Sequence, residues 1–251
     1  MTGQSVKTLA LAAPAYNEEA GIEAVVFHWL EYLRGRTDLE SFEIVVCNDG
    51  SSDDTGRILG RLASKTPELR VIDHPVNQGA ATALATAIRN TTKDWVLVID
   101  SDGQFPIENL DRMIEALHSF GSRAVIGVRR RKQDGVIACV GSYVSGLLCN
   151  LFFNTRYRDF NSAFKLVDGA VLRALPLEAK GLNYSTEITA KLIEREIHLV
   201  EADIEHHPRE RGKSSRKALQ GAWDRFLFVT YLGYRQFLIR LHVLKRPVCS
   251  P

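Results

Sequence analysis

Short apolar runs alternate with amphipathic stretches through the first half of the chain, and each run stops in a cluster of polar residues. Residues 8–13, 42–47, 70–73, 95–99 and 124–128 have the length and apolar character of buried strands. Between them, residues 18–33, 54–63, 80–89 and 107–117 place apolar side chains at helical spacing. This order predicts an α/β fold, a Rossmann-like, mostly parallel sheet with helices on both faces. Its ligand site is expected at the carboxyl ends of the strands. Three polar clusters meet there, one opening at Pro14 after the first strand, one at Asn48 after the second and one at Asp100 after the fourth.

The second half is less regular. A basic loop at 129–132 leads into a stretch without formal charge, residues 135–155, and then a turn at 156–165. A helix near 185–195, a strand near 198–205 and a basic loop at 206–217 follow. The uncharged stretch is long enough to span a bilayer as a helix. Its glycines and Ser142, Ser145, Asn150 and Asn154 make it too polar for that, so it reads as a buried or interfacial helix. Residues 218–244 carry Leu219, Trp223, Phe226, Leu227, Tyr231, Tyr234, Leu238 and Leu241 at helical spacing. The chain thus divides into an α/β unit, 1–216, and an amphipathic helical tail, 217–251.

Composition adds little until charge is divided along the chain. With 45% hydrophobic and 25% charged residues, the 251-residue chain is ordinary globular material, not a disordered or polytopic membrane protein. The formal net charge of +2 hides an acidic half and a basic half. Residues 1–120 hold 10 Lys+Arg against 18 Asp+Glu, and residues 121–251 hold 22 against 12. The first suits a metal ion and the second suits phosphates or an anionic surface. The four cysteines form no CxxC pair and suggest neither zinc nor a disulfide scaffold, which fits a reducing cytosol. Residues 1–7 are polar and show no signal-peptide pattern.

Asp100 and Asp102 stand two residues apart at the end of the fourth strand. Continued extended geometry would turn both carboxylates to one side, with Gln104 in phase. Such hard oxygen donors suit Mg²⁺ or Mn²⁺ with positions left open for diphosphate oxygens, although the same residue types also form solvated turns. Tyr16 offers a ring to stack on a base, while Glu18 and Asp49 offer acceptors for a nucleobase N–H or a ribose hydroxyl. Asp53 and Asp54 read as caps of the following helix. Asn77-Gln78-Gly79 opens a helix of small residues, which packs closely on the sheet or begins beside a diphosphate.

The order of Pro14-Ala15-Tyr16-Asn17-Glu18, Asn48-Asp49-Gly50-Ser51-Ser52-Asp53, Asn77-Gln78-Gly79, Asp100-Ser101-Asp102-Gly103-Gln104 and Arg209-Glu210-Arg211-Gly212-Lys213-Ser214 resembles the family 2 glycosyltransferases with a GT-A fold. Within them it is most similar to polyprenyl-phosphate sugar transferases such as dolichol-phosphate mannose synthase. The resemblance implies that Pro14, Tyr16, Asn17, Glu18 and Asp49 hold the nucleotide of a GDP- or UDP-sugar, with Gly79 and Ser101 beside it. It implies that Asp100, Asp102 and Gln104 bind the metal, that Arg129 begins an acceptor-facing loop, and that Arg209 reaches back to the diphosphate. The chain departs from the family pattern at Ala163-Phe164-Lys165, where Gly, an aromatic or aliphatic residue and Arg are usual. It also departs at Ser215 and at Ala87.

A polyprenyl phosphate, dolichyl or undecaprenyl, is already anionic at neutral pH and needs no strong base. Asp102 and Arg209 are then expected to act on the leaving diphosphate, and Arg129, Arg158 or Lys213 to steer the lipid phosphate into an inverting attack. Transfer to a saccharide hydroxyl would instead require a base, for which Asp159 is the candidate with Glu187 behind it. A nucleotide-sugar-binding module with little activity is a further reading. A nicotinamide oxidoreductase is disfavoured by the lack of a GxGxxG turn. No base-reading element points to nucleic acid. Basic and aromatic residues interleave from Trp223 to Arg246, which suits peripheral contact with the cytoplasmic face of a membrane, or a helix packed on the domain or a partner. The sequence leaves a homo-oligomer open.

Overall fold

The first strand is buried along nearly its whole length, as are most of its neighbours, so both faces of the sheet centre must be covered. The structure is a computed structural model, and it describes residues 5–130, 136–179, 181, 183–208, 218–241 and 243–244. In chain order the elements are β1 (Thr8–Ala15), α1 (Ile22–Arg34), β2 (Ser41–Asn48), α2 (Thr55–Ala63), β3 (Leu69–Asp73), α3 (Ala80–Arg89), β4 (Trp95–Val98) and α4 (Asn109–Phe120). They continue with β5 (Ala124–Arg129), α5 (Val136–Phe153), β6 (Lys165–Asp168), α6 (Gly169–Arg173), α7 (Tyr184–Glu194), β7 (Leu199–Ile204) and α8 (Ala218–Arg240).

The seven strands run in the order β3-β2-β1-β4-β6-β5-β7. β1 to β4 pair in parallel, as do β5 and β7. β6 is the exception, antiparallel to both β4 and β5. The expected α/β architecture is therefore present, with one strand that the apolar pattern did not reveal.

The core forms because the strands contribute Leu9, Leu11, Ile44, Val46, Val96 and Val98, while α1, α3 and α4 contribute Val26, Trp29, Leu84, Ile88, Leu110 and Met113. Each fully buried aliphatic side chain stabilises the fold by about 1.5–3 kcal/mol. α1 packs on α2 and is tied to α4 by the Arg36–Asp111 pair, whereas α3 packs on α6 and α7.

A second, smaller cluster joins α5, α7 and α8 through Cys149, Phe153, Ala190, Val229 and Leu232. Gly233 sits where α8 crosses α5, and an added Cβ there would fall 2.5 Å from the Phe152 ring. α8 is anchored to α7 by Arg235, whose Nε lies 3.2 Å from the buried carboxylate of Glu194. The outer faces of this helix pair are apolar. Tyr143, Leu147 and Leu151 of α5 are exposed, as are Trp223, Leu227, Tyr234 and Phe237 of α8. Among the described residues no helix is long and apolar enough to cross a membrane; α5 buries Ser142, Ser145 and Cys149 along its other side.

Candidate active site

β1, β2 and β4 end in register, with Pro14 opposite Cys47, Ala15 opposite Asn48 and Ala12 opposite Val98. Their following loops therefore emerge side by side. Between them lies a cavity of about 120 Å³. Pro14, Tyr16 and Glu18 line it from the first loop, Asp49 from the second, and Asp100, Ser101 and Asp102 from the third. Ala80, at the start of α3, and Tyr184, at the start of α7, complete the wall.

The second loop is folded tightly around Asp49. Gly50 has a φ of +63°, and an added Cβ would fall 2.5 Å from the backbone of Val76, so only glycine fits. Gly79 has a φ of +94°, which turns its N–H to Asp49. The Asp49 carboxylate accepts from Gln78 N at 2.9 Å, Gly79 N at 2.8 Å and His74 Nδ1 at 2.8 Å. Asn17 joins the two loops. Its Oδ1 accepts from Ser52 N at 2.9 Å, which braces the first loop on the second, and it does not line the cavity. Asp53 caps α2 from one position further out, accepting from Thr55 N at 3.0 Å, while Asp54 pairs with Arg57. Ser101 Oγ donates to the carbonyl of Pro14 at 2.7 Å and ties the ends of β1 and β4 together.

Asp100 and Asp102 reach the same cavity, but not by extended alternation. β4 ends at Val98, and the chain turns at Gly103, with a φ of +76°. Gln104 Nε2 donates to the carbonyl of His207 at 3.1 Å and its own carbonyl accepts from His207 N at 2.8 Å, so it fastens the loop to the segment that follows β7. The Tyr184 hydroxyl donates to Asp100 Oδ1. Burial, and then the neighbouring Asp102 carboxylate, push the Asp100 pKa up to about 7 against the opposing pull of Tyr184, Arg129 and Lys165. Burial and the charge of Asp100 hold the Tyr184 phenol well above its usual range, so it remains a donor. Among the described residues no group of three or more His, Cys, Asp or Glu is placed to hold a metal. The two carboxylates would by themselves supply only part of a coordination shell.

The acceptor side departs further from expectation. Asp159 is buried and engages Arg129 with both oxygens, Nε to Oδ2 at 2.7 Å and Nη2 to Oδ1 at 3.1 Å. A carboxylate held this way is an ion-pair partner, which corrects its expected part as a general base. Arg158 turns outward to Glu201 and Asp203 on β7. Glu187 is also structural, accepting from Glu178 N at 2.7 Å and Ala179 N at 2.9 Å and pairing with buried Lys191 at 2.8 Å. Lys165 opens β6 with no exposed surface and donates to the carbonyl of Ser162. Burial draws its pKa down to about 7, with Asp159 and Asp100 opposing and Arg129 assisting.

A sequence profile described as Glycosyl transferase family 2 matches residues 11–178, most of this sheet and every residue of the cavity wall except Tyr184. The chain belongs to glycosyl transferase family 2. A dolichyl-phosphate beta-glucosyltransferase of Trichomonas vaginalis is 32% identical over 132 residues, covering 50% of this chain and 41% of that protein. An undecaprenyl-phosphate 4-deoxy-4-formamido-L-arabinose transferase of Photorhabdus laumondii is 24% identical over 217 residues, covering 85% of this chain and 64% of that protein. The chain therefore spans less than two thirds of the length of either relative. Glucosyl-3-phosphoglycerate synthase from Mycobacterium tuberculosis, in complex with phosphoglyceric acid, superposes with a TM-score of 0.68 at 21% identity, covering 92% of this chain and 80% of that one. Its complex with Mn²⁺, uridine diphosphate and glucosyl-3-phosphoglycerate gives 0.65 at 22%, covering 93% and 80%. These likenesses establish the GT-A fold for this family 2 glycosyltransferase.

Arg209 and Lys213 lie outside the described residues. Two residues near the site carry little signal in the sequence. Lys165 stands out there only as a departure from the family pattern, and Tyr184 only by its place beside the start of the predicted helix near 185–195.

Proposed function

We propose that this family 2 glycosyltransferase moves a hexosyl group from a GDP- or UDP-sugar to a polyprenyl phosphate, dolichyl or undecaprenyl, with inversion at the anomeric carbon. The observation that carries the reading is the single cavity that holds Tyr16 and Asp49 together with Asp100 and Asp102. An aromatic ring and a buried acceptor suit a nucleobase, and paired carboxylates suit a cation on a diphosphate. Two hard-oxygen side chains in one wall, one of them holding its proton up to about pH 7 because of burial and the other's charge, form a donor set that an added cation relieves. A bound Mg²⁺ or Mn²⁺ on Asp100 and Asp102 would neutralise charge on the departing nucleoside diphosphate. The Mycobacterium tuberculosis synthase, with Mn²⁺ and uridine diphosphate in its complex, supports this part by analogy.

The acceptor is inferred from chemistry and from the two lipid-phosphate transferases among the relatives. A phosphate oxygen attacks without a general base, which agrees with Asp159 and Glu187 both being committed to other partners. Arg129, fixed at the end of β5 by Asp159, keeps positive charge on the acceptor side, where Lys213 would add its own, while Arg209 would reach back to the departing diphosphate. The apolar outer faces of α5 and α8 support peripheral contact with the cytoplasmic face of a membrane. On this reading residues 1–216 catalyse and 217–251 help to dock.

Incubation of the purified protein with membranes and labelled nucleotide-sugars tests the proposal. Label entering the organic phase, and blocked by a chelator, is the expected result. Label confined to a water-soluble saccharide would overturn the lipid acceptor.

A further inference from the structure

The hydrogen bonds around Asp49 carry more information than its presence in the cavity. A carboxylate has about four acceptor positions, two on each oxygen. Oδ1 receives Gln78 N at 2.9 Å and His74 Nδ1 at 2.8 Å, which fills it. Oδ2 receives Gly79 N at 2.8 Å, which leaves one position on that oxygen. Asp49 is 1% exposed, and it lines the cavity wall beside Tyr16.

The ring of His74 is fixed in turn. A carboxylate only accepts, so Nδ1 carries the proton, and in the neutral ring Nε2 accepts. Nε2 lies 3.0 Å from Thr86 Oγ1 and 3.4 Å from Cys47 Sγ, both of which can donate. Burial, with Asp49 and Asp73 adding to it, pushes the Cys47 thiol up to about 12, so it keeps its proton. Thr86 on α3 and Cys47 on β2 thus hold the imidazole, and the imidazole together with two backbone N–H groups stops the carboxylate from rotating.

A carboxylate with one open position matches a base with one ring N–H and no donor beside it. Uracil presents such an edge at N3. Guanine presents N1–H and the N2 amino group side by side, and this pair asks for both oxygens of a carboxylate. We infer that Asp49 selects uracil over guanine, and that His74 is the positioning residue that enforces the choice. This rests on the reading that the cavity holds the donor nucleotide.

Titration calorimetry of the full chain with UDP and with GDP, each with Mn²⁺, tests it. Wild-type protein should bind UDP at least about tenfold more tightly than GDP, the scale of discrimination that a lost hydrogen bond gives. His74→Leu removes the donor and reopens a position on Oδ1, so both oxygens can accept from a base and the ratio should fall to near one. His74→Asn keeps an N–H where Nδ1 stands and should preserve the ratio. A merely structural histidine would weaken both nucleotides together and leave the ratio unchanged in every folded variant, which overturns its positioning role. Equal affinity of the wild type for UDP and GDP would overturn the base assignment while leaving the donor site standing. Failure of both to bind would overturn the donor site itself, and this inference with it.

Discussion

The guanidinium of Arg129, at the end of β5, meets the carboxylate of Asp159 in a two-point pair at 2.7 and 3.1 Å. The carboxylate is 2% exposed and the contact joins residues 30 positions apart. Removing one partner strands the other in a dry site, at a cost of about 3–5 kcal/mol. Asp159→Ala should therefore lose thermal stability along with transfer. The double variant Arg129→Met with Asp159→Leu should regain much of that stability without regaining transfer, and calorimetry beside an activity assay checks both. Full transfer by a folded Asp159→Ala protein would remove Arg129 from the acceptor side.

Asp102→Ala should abolish metal-dependent transfer at unchanged stability. Wild-type rates in this variant, measured across a Mn²⁺ titration, would end the metal assignment.

The proton that Asp100 retains up to about pH 7 predicts how activity depends on pH. The cation needs the carboxylate, so kcat/KM should fall as pH drops through about 7. Tyr184 donates to Asp100 and favours its charged form. Tyr184→Phe should thus move the acid limb of the profile to higher pH, with near-normal activity recovered on the alkaline side. An unmoved limb would show that another group sets it.

Lys165 gives a stability counterpart. Its folded pKa, about 7, lies below the ordinary lysine value of 10.5. A neutral folded lysine and a charged unfolded one mean that the unfolded chain binds more protons between these values, so stability rises with pH across that window and is lost as pH falls toward 7. The urea midpoint of the wild type should climb from pH 7 to 9 relative to that of Lys165→Met. Parallel curves would mean that the lysine is charged in the fold.

Vesicle flotation examines the α5–α8 surface. The wild type should float with anionic vesicles, and less so at high salt. Leu147→Asp combined with Tyr234→Asp should remain at the bottom. Protein that never floats would rule out autonomous docking.

The alternating half of the fold was legible because parallel strands covered on both faces are continuous apolar runs, as in β1 and β2. β6 was not, since four residues that begin with Lys165 and end with Asp168 show neither a run nor a period. The donor-side motifs were legible as loops after strands. Their geometry was not, because one glycine in the left-handed region, Gly103, decides where Gln104 goes. Pairings across the fold were the least visible. Nothing in the sequence joins Asp159 to Arg129, 30 positions away; packing does, while the adjacent Arg158 turns to Glu201.

β6 fixes a dimension of the site. It lies between β4 and β5, which would otherwise be neighbours, and Lys165 stands opposite both Val98 and Ile126. Two strand spacings, roughly 9–10 Å, therefore separate the strand that delivers Asp100 from the strand that delivers Arg129. Hydrogen bonding sets that width, and no side-chain substitution alters it. In the proposed reaction the sheet would act as a ruler for the gap between the leaving diphosphate and the incoming phosphate, and a bulkier sugar would be accommodated by the loops above it.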